Sequence, residues 1–223
     1  MMRSHSPQRH WIRAFGVTAT LLLTVYIPTF ALVGHLHLPM ANAIPVIIVV
    51  STMIALLLMW ALRHSSMALN LANFGFRWCR WQSAIVAMLI AVPLAWLINT
   101  LLTFAHEPGP LAGVVLTPAL AWIYFGLGSP LQEELIFRGL LQTTFAHSLT
   151  NPVPVMAQAN VAALVTAALL FASVHLAVGP WTAVAALVLG LLAGELRRRS
   201  GSLIPAILVH IVFNIPGLLA AIP

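Results

Sequence analysis

The chain has 223 residues, of which 61% are hydrophobic and only 6% are charged, and its mean hydropathy is +1.00. Soluble domains carry about 25% charged residues, so this composition excludes a soluble globular domain and indicates a polytopic membrane protein. The formal net charge of +6 comes from arginines that cluster between apolar runs. These arginines are topology signals, and a nucleic-acid partner is not expected.

Apolar runs long enough to cross about 30 Å of hydrocarbon set the predicted architecture. Three of them lie at roughly 14–34, 41–62 and 82–105, and four follow at 111–147, 157–178, 180–196 and 202–221. The sequence therefore predicts an all-α, polytopic transmembrane helical bundle of about seven spans. There are eight spans if 111–147 crosses the membrane twice. Segment 64–81 is polar and then aromatic and basic, which indicates a loop with a short interfacial helix.

The arginine clusters at 3–13, 63–80 and 197–199 predict the orientation. Loops rich in Arg face the cytoplasm, and all three clusters do so only if 111–147 is one helix, bent at Pro118 or Pro130. The predicted topology is then seven spans with a cytoplasmic N-terminus and an external C-terminus. The expected location is the cell membrane (inner or plasma membrane), as a multi-pass protein, with the polar site on the cytoplasmic side of the midplane.

Ionisable groups inside apolar spans are costly, and they are functional candidates for that reason. The stretch LQEELIFRG (131–139) holds two of the four acidic residues of the chain. Glu134 and Arg138 are four residues apart and are predicted to pair on one helix face. Glu133 points about 100° away and has no local counter-ion, so it should become protonated or bind a metal, a water or an imidazole.

Two later spans carry further polar groups, namely His175 in FASVH and His210 with Asn214 in HIVFN. If these faces converge with Glu133, a carboxylate and two imidazoles can ligate a divalent metal or activate a water, and an Asn amide can stabilise an oxyanion. A simpler interpretation stays open, in which the histidines only join helices and the Glu134–Arg138 pair is structural. Phe171 is then a packing residue.

Two other features have structural interpretations. Glu195 stands before Arg197–Arg199 and is predicted to pair with them at the membrane surface. Gly190 and Gly194 form a GxxxG pattern, which is typical of closely packed membrane helices.

Three motifs make the sequence resemble the CPBP family of intramembrane proteases, named for CAAX prenyl proteases and bacteriocin-processing enzymes and also called the Abi family. They are EExxxR from Glu133 to Arg138, FxxxH from Phe171 to His175 and HxxxN from His210 to Asn214. The resemblance covers about 111–221. It implies a catalytic core at 106–223, and the arginine clusters and apolar runs predict a cytoplasmic tail at 1–13 and three accessory helices within 14–105.

The resemblance also implies a function. The chain is expected to be a hydrolase, a metalloendopeptidase that cleaves membrane-embedded or lipid-anchored peptide or protein substrates in the bilayer. Glu133 and His175 are expected to activate the attacking water, while His210 and Asn214 act on the oxyanion or a metal. The resemblance leaves two forms of this mechanism open: Zn²⁺ or another divalent metal held by Glu133, His175 and His210, or a metal-free mechanism in which the glutamate acts on the water directly.

Three alternatives remain open at this stage. A membrane protein for bacteriocin immunity or partner scaffolding would use the same polar groups without proteolysis. A rhomboid-like serine protease would use Ser129 in GLGSP as its nucleophile, but it leaves the two carboxylates unexplained. A transporter would use them as a proton relay.

Overall fold

The computed structural model describes residues 7–106, 114–150 and 156–221. Within these ranges the chain forms seven helices and no strand, which confirms the predicted all-α bundle. They are α1 (Pro7–His35), α2 (Met40–Arg63), α3 (Trp81–Phe104), α4 (118–150), α5 (Met156–His175), α6 (Pro180–Ser200) and α7 (Ile204–Ala221). Because α1 starts at Pro7, the second half of the predicted tail at 1–13 is helical.

Length and composition allow four of the described helices to cross a membrane. They are Gln8–His35, Met40–Arg63, Ala84–Phe104 and Pro180–Ser200, while Asn160–His175 and Ile204–Ala220 are apolar but shorter. Large apolar side chains of the accessory helices point outward, including Leu57 at 62% exposure and Leu89 at 70%. An apolar outer surface of this kind suits a lipid environment and supports a helical membrane bundle.

Helix α4 is a single helix that alternates between two helical geometries. Pro118–Ala121, Ser129–Glu134 and Gln142–Thr150 are α-helical, whereas Trp122–Gly128 and Leu135–Leu141 are π-helical. Pro118 is the first residue of the helix, after the N-cap Thr117, so no bend occurs there. Pro130 has no N–H to donate, and it lies just after the first π-helical stretch.

Helices α5 and α6 pack closely because two glycines of α6 face α5. A Cβ atom at Gly190 would lie 3.1 Å from the Cα of Ala168, and one at Gly194 would lie 3.0 Å from Leu164. Both distances are shorter than ordinary van der Waals contacts, so larger residues would push the helices apart. The GxxxG pattern therefore marks a close helix contact.

The arginine clusters meet at one end of the bundle, which we call the arginine end. Arg197 Nη2 donates to the main-chain oxygen of Asn73 at 2.6 Å, and Ser202 Oγ donates to that of Arg77 at 2.6 Å. These bonds hold segment 64–80 against the end of α6 and the start of α7. The start of α1 joins the same end, where Ala14 packs with Phe145.

Segment 64–80 is made of turns, and the short interfacial helix expected there is not formed. Asn70 and Asn73 each accept the other's main-chain N–H through their side chains, which holds a turn. Gly75 has a φ of +95°, which breaks a helix, and its Cα lies against Arg197, where a side chain would clash. The segment is thus shaped by tertiary contacts with α6.

Native Cys79 lies in this segment and gives a topology test. We expect membrane-impermeant thiol reagents to label Cys79 only from the cytoplasm. In a Cys79→Ser background, Val115→Cys and Val178→Cys, at sites that are 92% and 39% exposed, should be labelled only from outside. If α4 crossed twice, Val115→Cys and Val178→Cys would be labelled from opposite sides.

Candidate active site

The carboxylate of Glu134 is the buried centre of the polar site. Its Oε1 atom lies 3.0 Å from Arg138 Nη1, one helical turn away, and 2.8 Å from His210 Nδ1 on α7. Glu134 and Arg138 are both 0% exposed. Arg138 also stacks on a ring of α5, with its Cζ atom 4.5 Å from the centroid of Phe171. One carboxylate therefore balances the arginine charge and joins α4 to α7.

The neighbouring carboxylate, Glu133, has a different environment. Its Oε1 accepts a hydrogen bond from Ser129 Oγ, one turn earlier in α4. Its Oε2 lies 3.9 Å from His175 Nε2 and 3.7 Å from His210 Nε2, and has no hydrogen-bond partner among the described residues. The Glu133 side chain is 17% exposed and that of Glu134 is 0% exposed, although the Glu133 Oε2 atom is itself buried.

The hydrogen bond at Nδ1 determines the orientation of each imidazole ring. His175 Nδ1 lies 2.8 Å from the main-chain oxygen of Phe171, and His210 Nδ1 lies 2.8 Å from the Glu134 carboxylate. An oxygen acceptor at Nδ1 requires the proton there, so a neutral ring carries its lone pair on Nε2. Both Nε2 atoms face Glu133 Oε2, and the three atoms form one small acceptor cluster.

Phe171 does more than the packing expected from the sequence. Its main-chain oxygen fixes His175, and its ring contacts that imidazole edge-on with centroids 4.5 Å apart. The ring also lies 5.7 Å from His210 and under Arg138. The four-residue spacing of FxxxH therefore has a physical reason, because carbonyl and imidazole must occupy successive turns of α5.

Asn214 lies one turn beyond His210, and its side-chain amide forms a hydrogen bond with α4. Its Nδ2 donates to the main-chain oxygen of Phe125 at 2.8 Å, two helical turns before Glu133. An amide NH₂ has two protons, so one remains for a ligand. The structure thus brings Glu133, His175 and His210 together and places Asn214 beside the first π-helical stretch.

Two residues join the site that sequence reasoning did not assign to it. Ser129, considered above only as a nucleophile, donates its hydroxyl proton to Glu133, and its position four residues earlier was the signal available. Tyr26 of α1 lies beside the Gln132 side chain and close enough to Glu133 to interact with its charge. No pattern in α1 distinguished Tyr26.

The depth of the site can be estimated from the helices that carry it. His210 is six residues from the start of α7 at the arginine end, about 9 Å along the axis. His175, in contrast, is the last residue of α5, at the end away from the arginines. His210 therefore lies in the half of α7 nearest the arginine end and His175 at the opposite end of α5, and the expected depth on the cytoplasmic side of the midplane stays a prediction.

The proposed metal ligands have suitable chemistry but not a metal-site arrangement. Among the described residues, no group of three His, Cys, Asp or Glu side chains is arranged to hold a metal ion. Donors around tetrahedral Zn²⁺ are about 3.3 Å apart, since each bond is about 2.0–2.1 Å. The separations of 3.9 Å and 3.7 Å from Glu133 Oε2 are wider. Metal binding therefore stays a prediction.

Residues 115–216 match the family model described as Rce1-like, type II CAAX prenyl endopeptidase. The matched interval contains all three motifs and every residue of the acceptor cluster. The match covers slightly less than half of the chain and supports membership of the CPBP/CAAX protease family, whose general activity is that of an intramembrane endopeptidase on a membrane-associated protein. No curated protein and no solved structure matches the chain.

The buried ion pair gives a stability prediction. Arg138→Ala should destabilise the protein by about 3–5 kcal/mol, because it leaves the Glu134 carboxylate buried without its cation. The measurement is the thermal unfolding midpoint of purified protein in a neutral detergent. Arg199→Ala is the matched control, since Arg199 pairs with Glu195 and is 74% exposed. The loss of this surface pair should lower the free energy of unfolding by less than about 1 kcal/mol. Equal midpoints for the two variants would contradict the assignment.

Proposed function

We propose that the chain hydrolyses peptide bonds in membrane-associated or lipid-anchored proteins with a water molecule activated by Glu133 and His175. The observation that carries this proposal is the convergence of Glu133 Oε2 with the Nε2 atoms of His175 and His210. Three acceptors that face one point favour a water molecule, which can donate two hydrogen bonds and direct a lone pair at a carbonyl carbon.

The charge balance favours Glu133 as the base. With neutral imidazoles, Glu133 and Glu134 contribute two negative charges and Arg138 one positive charge, so the site carries one net negative charge. The fully buried Glu134 is committed to Arg138 and His210. The spare charge therefore lies on Glu133, the partly exposed carboxylate, which is able to accept a proton.

The reaction then proceeds in two steps. The water oxygen bonds to the carbonyl carbon while one water proton moves to Glu133 Oε2, and the carbonyl oxygen becomes an oxyanion. When the tetrahedral intermediate collapses, the C–N bond breaks and Glu133 returns the proton to the amine nitrogen. His175 Nε2 accepts a hydrogen bond from the other O–H of the water, whose proton stays on the attacking oxygen, and orients that water for attack.

The structure limits how the oxyanion is stabilised. A neutral His210 that donates Nδ1–H to Glu134 has no proton on Nε2, so it donates to an oxyanion only as an imidazolium. Because Glu134 already balances Arg138, the spare negative charge of the site, on Glu133, would balance that imidazolium. The second amide proton of Asn214 is the other donor available on the same face of α7.

A non-proteolytic role in bacteriocin immunity or partner scaffolding would use the same polar groups to hold a peptide. It does not explain why both imidazoles present lone pairs to a carboxylate, since a peptide-binding site needs donors as well as acceptors. The serine-protease alternative loses its nucleophile, because Ser129 lacks a histidine base and instead donates to Glu133.

The decisive substitution is Glu133→Gln, which keeps the shape and removes the base. We expect peptide cleavage to fall by at least about 10²-fold, with unchanged membrane insertion and unfolding midpoint. Glu195→Gln is the matched control, since it removes a carboxylate from the arginine end and should keep full activity. The readout is the set of peptides released from membranes of cells that express each variant, followed by cleavage of a substrate identified there.

Cleavage products that persist with Glu133→Gln would refute the catalytic assignment. If neither wild type nor variant releases peptides while both support the same cellular phenotype, the immunity or scaffold function replaces the protease.

Metal dependence is tested separately. Direct activation of water by Glu133 and His175 predicts that dialysis against a chelator leaves the rate unchanged. The metal content of the purified protein should then be the same in wild type and in a His175→Ala, His210→Ala double variant. One equivalent of Zn²⁺ that is lost in the double variant, together with chelator-sensitive activity, would establish the metalloprotease mechanism instead.

A further inference from the structure

A polar cavity lies at the arginine end, separate from the candidate active site. It has a volume of about 270 Å³, opens to the protein surface and is lined by residues of α4, α5, α6 and segment 64–80. Its polar lining comprises Asn73, Gln142, Thr143, His147, Asn160, Arg197 and Arg198. Neither the water-activating cluster nor the family motifs use any of these residues.

Arg197 is a buried cation that lacks a carboxylate partner in the part of the chain that is described. It is 9% exposed, and its Nη2 donates to Asn73 while its Nε has no hydrogen-bond partner. Glu195, the nearest acid in sequence, is instead held by Arg198 at 2.6 Å and by Arg199. A neutral carbonyl contact does not balance the charge of a buried guanidinium.

The surroundings of Arg197 add positive charge. Arg77 lies close enough to repel it, and a Cβ atom at the neighbouring Gly201 would lie 3.2 Å from the Arg77 guanidinium. Glu195 is the one acidic residue described at this end, against arginines 77, 197, 198 and 199. An anion in the cavity would relieve both the repulsion and the unbalanced charge.

The lining has a second unsatisfied group that limits the chemistry of the ligand. Gln142 donates its Nε2 to the main-chain oxygen of Gly194 at 3.2 Å, and this leaves its buried Oε1 without a donor. A ligand that offers a hydroxyl beside an anionic group would satisfy both Gln142 and Arg197. A phosphate ester with a hydroxylated headgroup has this combination.

We propose that this cavity binds a phosphate group, presented either by an anionic lipid headgroup or by free phosphate. The cavity lies at the arginine end, where segment 64–80 and the start of α3 carry the exposed Trp78 and Trp81, and such residues are typical of headgroup depth. The Arg197 guanidinium donates charge-assisted hydrogen bonds to the phosphate oxygens. Gln142 Oε1 accepts a hydrogen bond from a hydroxyl group of the ligand. This site is independent of the proteolytic function proposed above.

The test uses the purified full-length chain in a neutral detergent, with short-chain phosphatidylglycerol, short-chain phosphatidylcholine or sodium phosphate as probes. Native mass spectrometry gives stoichiometry and Kd, and the thermal unfolding midpoint gives an independent readout at constant ionic strength. We expect one equivalent of phosphatidylglycerol to bind, with an affinity at least about tenfold lower for Arg197→Gln. Asn160→Leu, which fills part of the cavity and keeps the Arg197–Asn73 bond, should show a similar loss.

Arg80→Gln is the control, since it removes the same charge from an exposed residue outside the cavity and should bind as wild type. Equal weakening by Arg80→Gln and Arg197→Gln would overturn the proposal in favour of general attraction by the arginine end. Full binding by Asn160→Leu would overturn the proposal as well. If Arg197→Gln does not fold, Asn160→Leu provides the test in its place. Binding of sodium phosphate alone identifies free phosphate as the source, whereas binding of phosphatidylglycerol alone identifies a lipid. Binding of neither probe refutes the site.

Discussion

The Glu134 carboxylate is the constraint on which the polar interior depends. It is completely buried, and its Oε1 contacts both the Arg138 guanidinium and the His210 ring. Removing either charge of the ion pair leaves the other in a low-dielectric interior, where a single unpaired charge costs several kcal/mol. The same contact decides which nitrogen of His210 carries the proton. The Glu134 carboxylate thus balances the arginine charge, holds α7 against α4 and determines the direction of the His210 lone pair.

The two adjacent carboxylates have different roles because an α-helix directs them to different faces. Successive residues are rotated by about 100°, so Glu134 faces Arg138 and α7 while Glu133 faces Ser129 and the imidazole Nε2 atoms. One carboxylate is fully buried and the other is 17% exposed, although their Cα atoms are neighbours. The α-helical turn that carries them lies between two π-helical stretches, which are common near functional sites. One helical turn therefore carries Glu134, which is held by an ion pair, and Glu133, which is available to react.

Sequence patterns predicted those parts of the structure that depend on local spacing. Seven helices followed from apolar runs of membrane length, and the Glu134–Arg138 partnership followed from a four-residue separation on one helix. The bond from Glu134 to His210 joins residues 76 positions apart, and no local pattern indicates it. The turns of segment 64–80 were equally hidden, because contacts with Arg197 and Ser202 determine them. Interactions of this kind depend on how helices approach one another, and that is fixed by packing.

The approach of α6 to α4 shows how packing serves both polar centres at once. A Cβ atom at Gly190 would lie 3.4 Å from Arg138 Nη2, beside the candidate active site. One turn later, a Cβ atom at Gly194 would lie 3.3 Å from Gln142 Oε1, beside the arginine-end cavity. Both glycines also permit the contact with α5, through Ala168 and Leu164. A single small-residue face of α6 thus sets the space available to a buried arginine and to a buried amide. The close helix contact and the placement of polar side chains are consequently one constraint, and neither can change without the other.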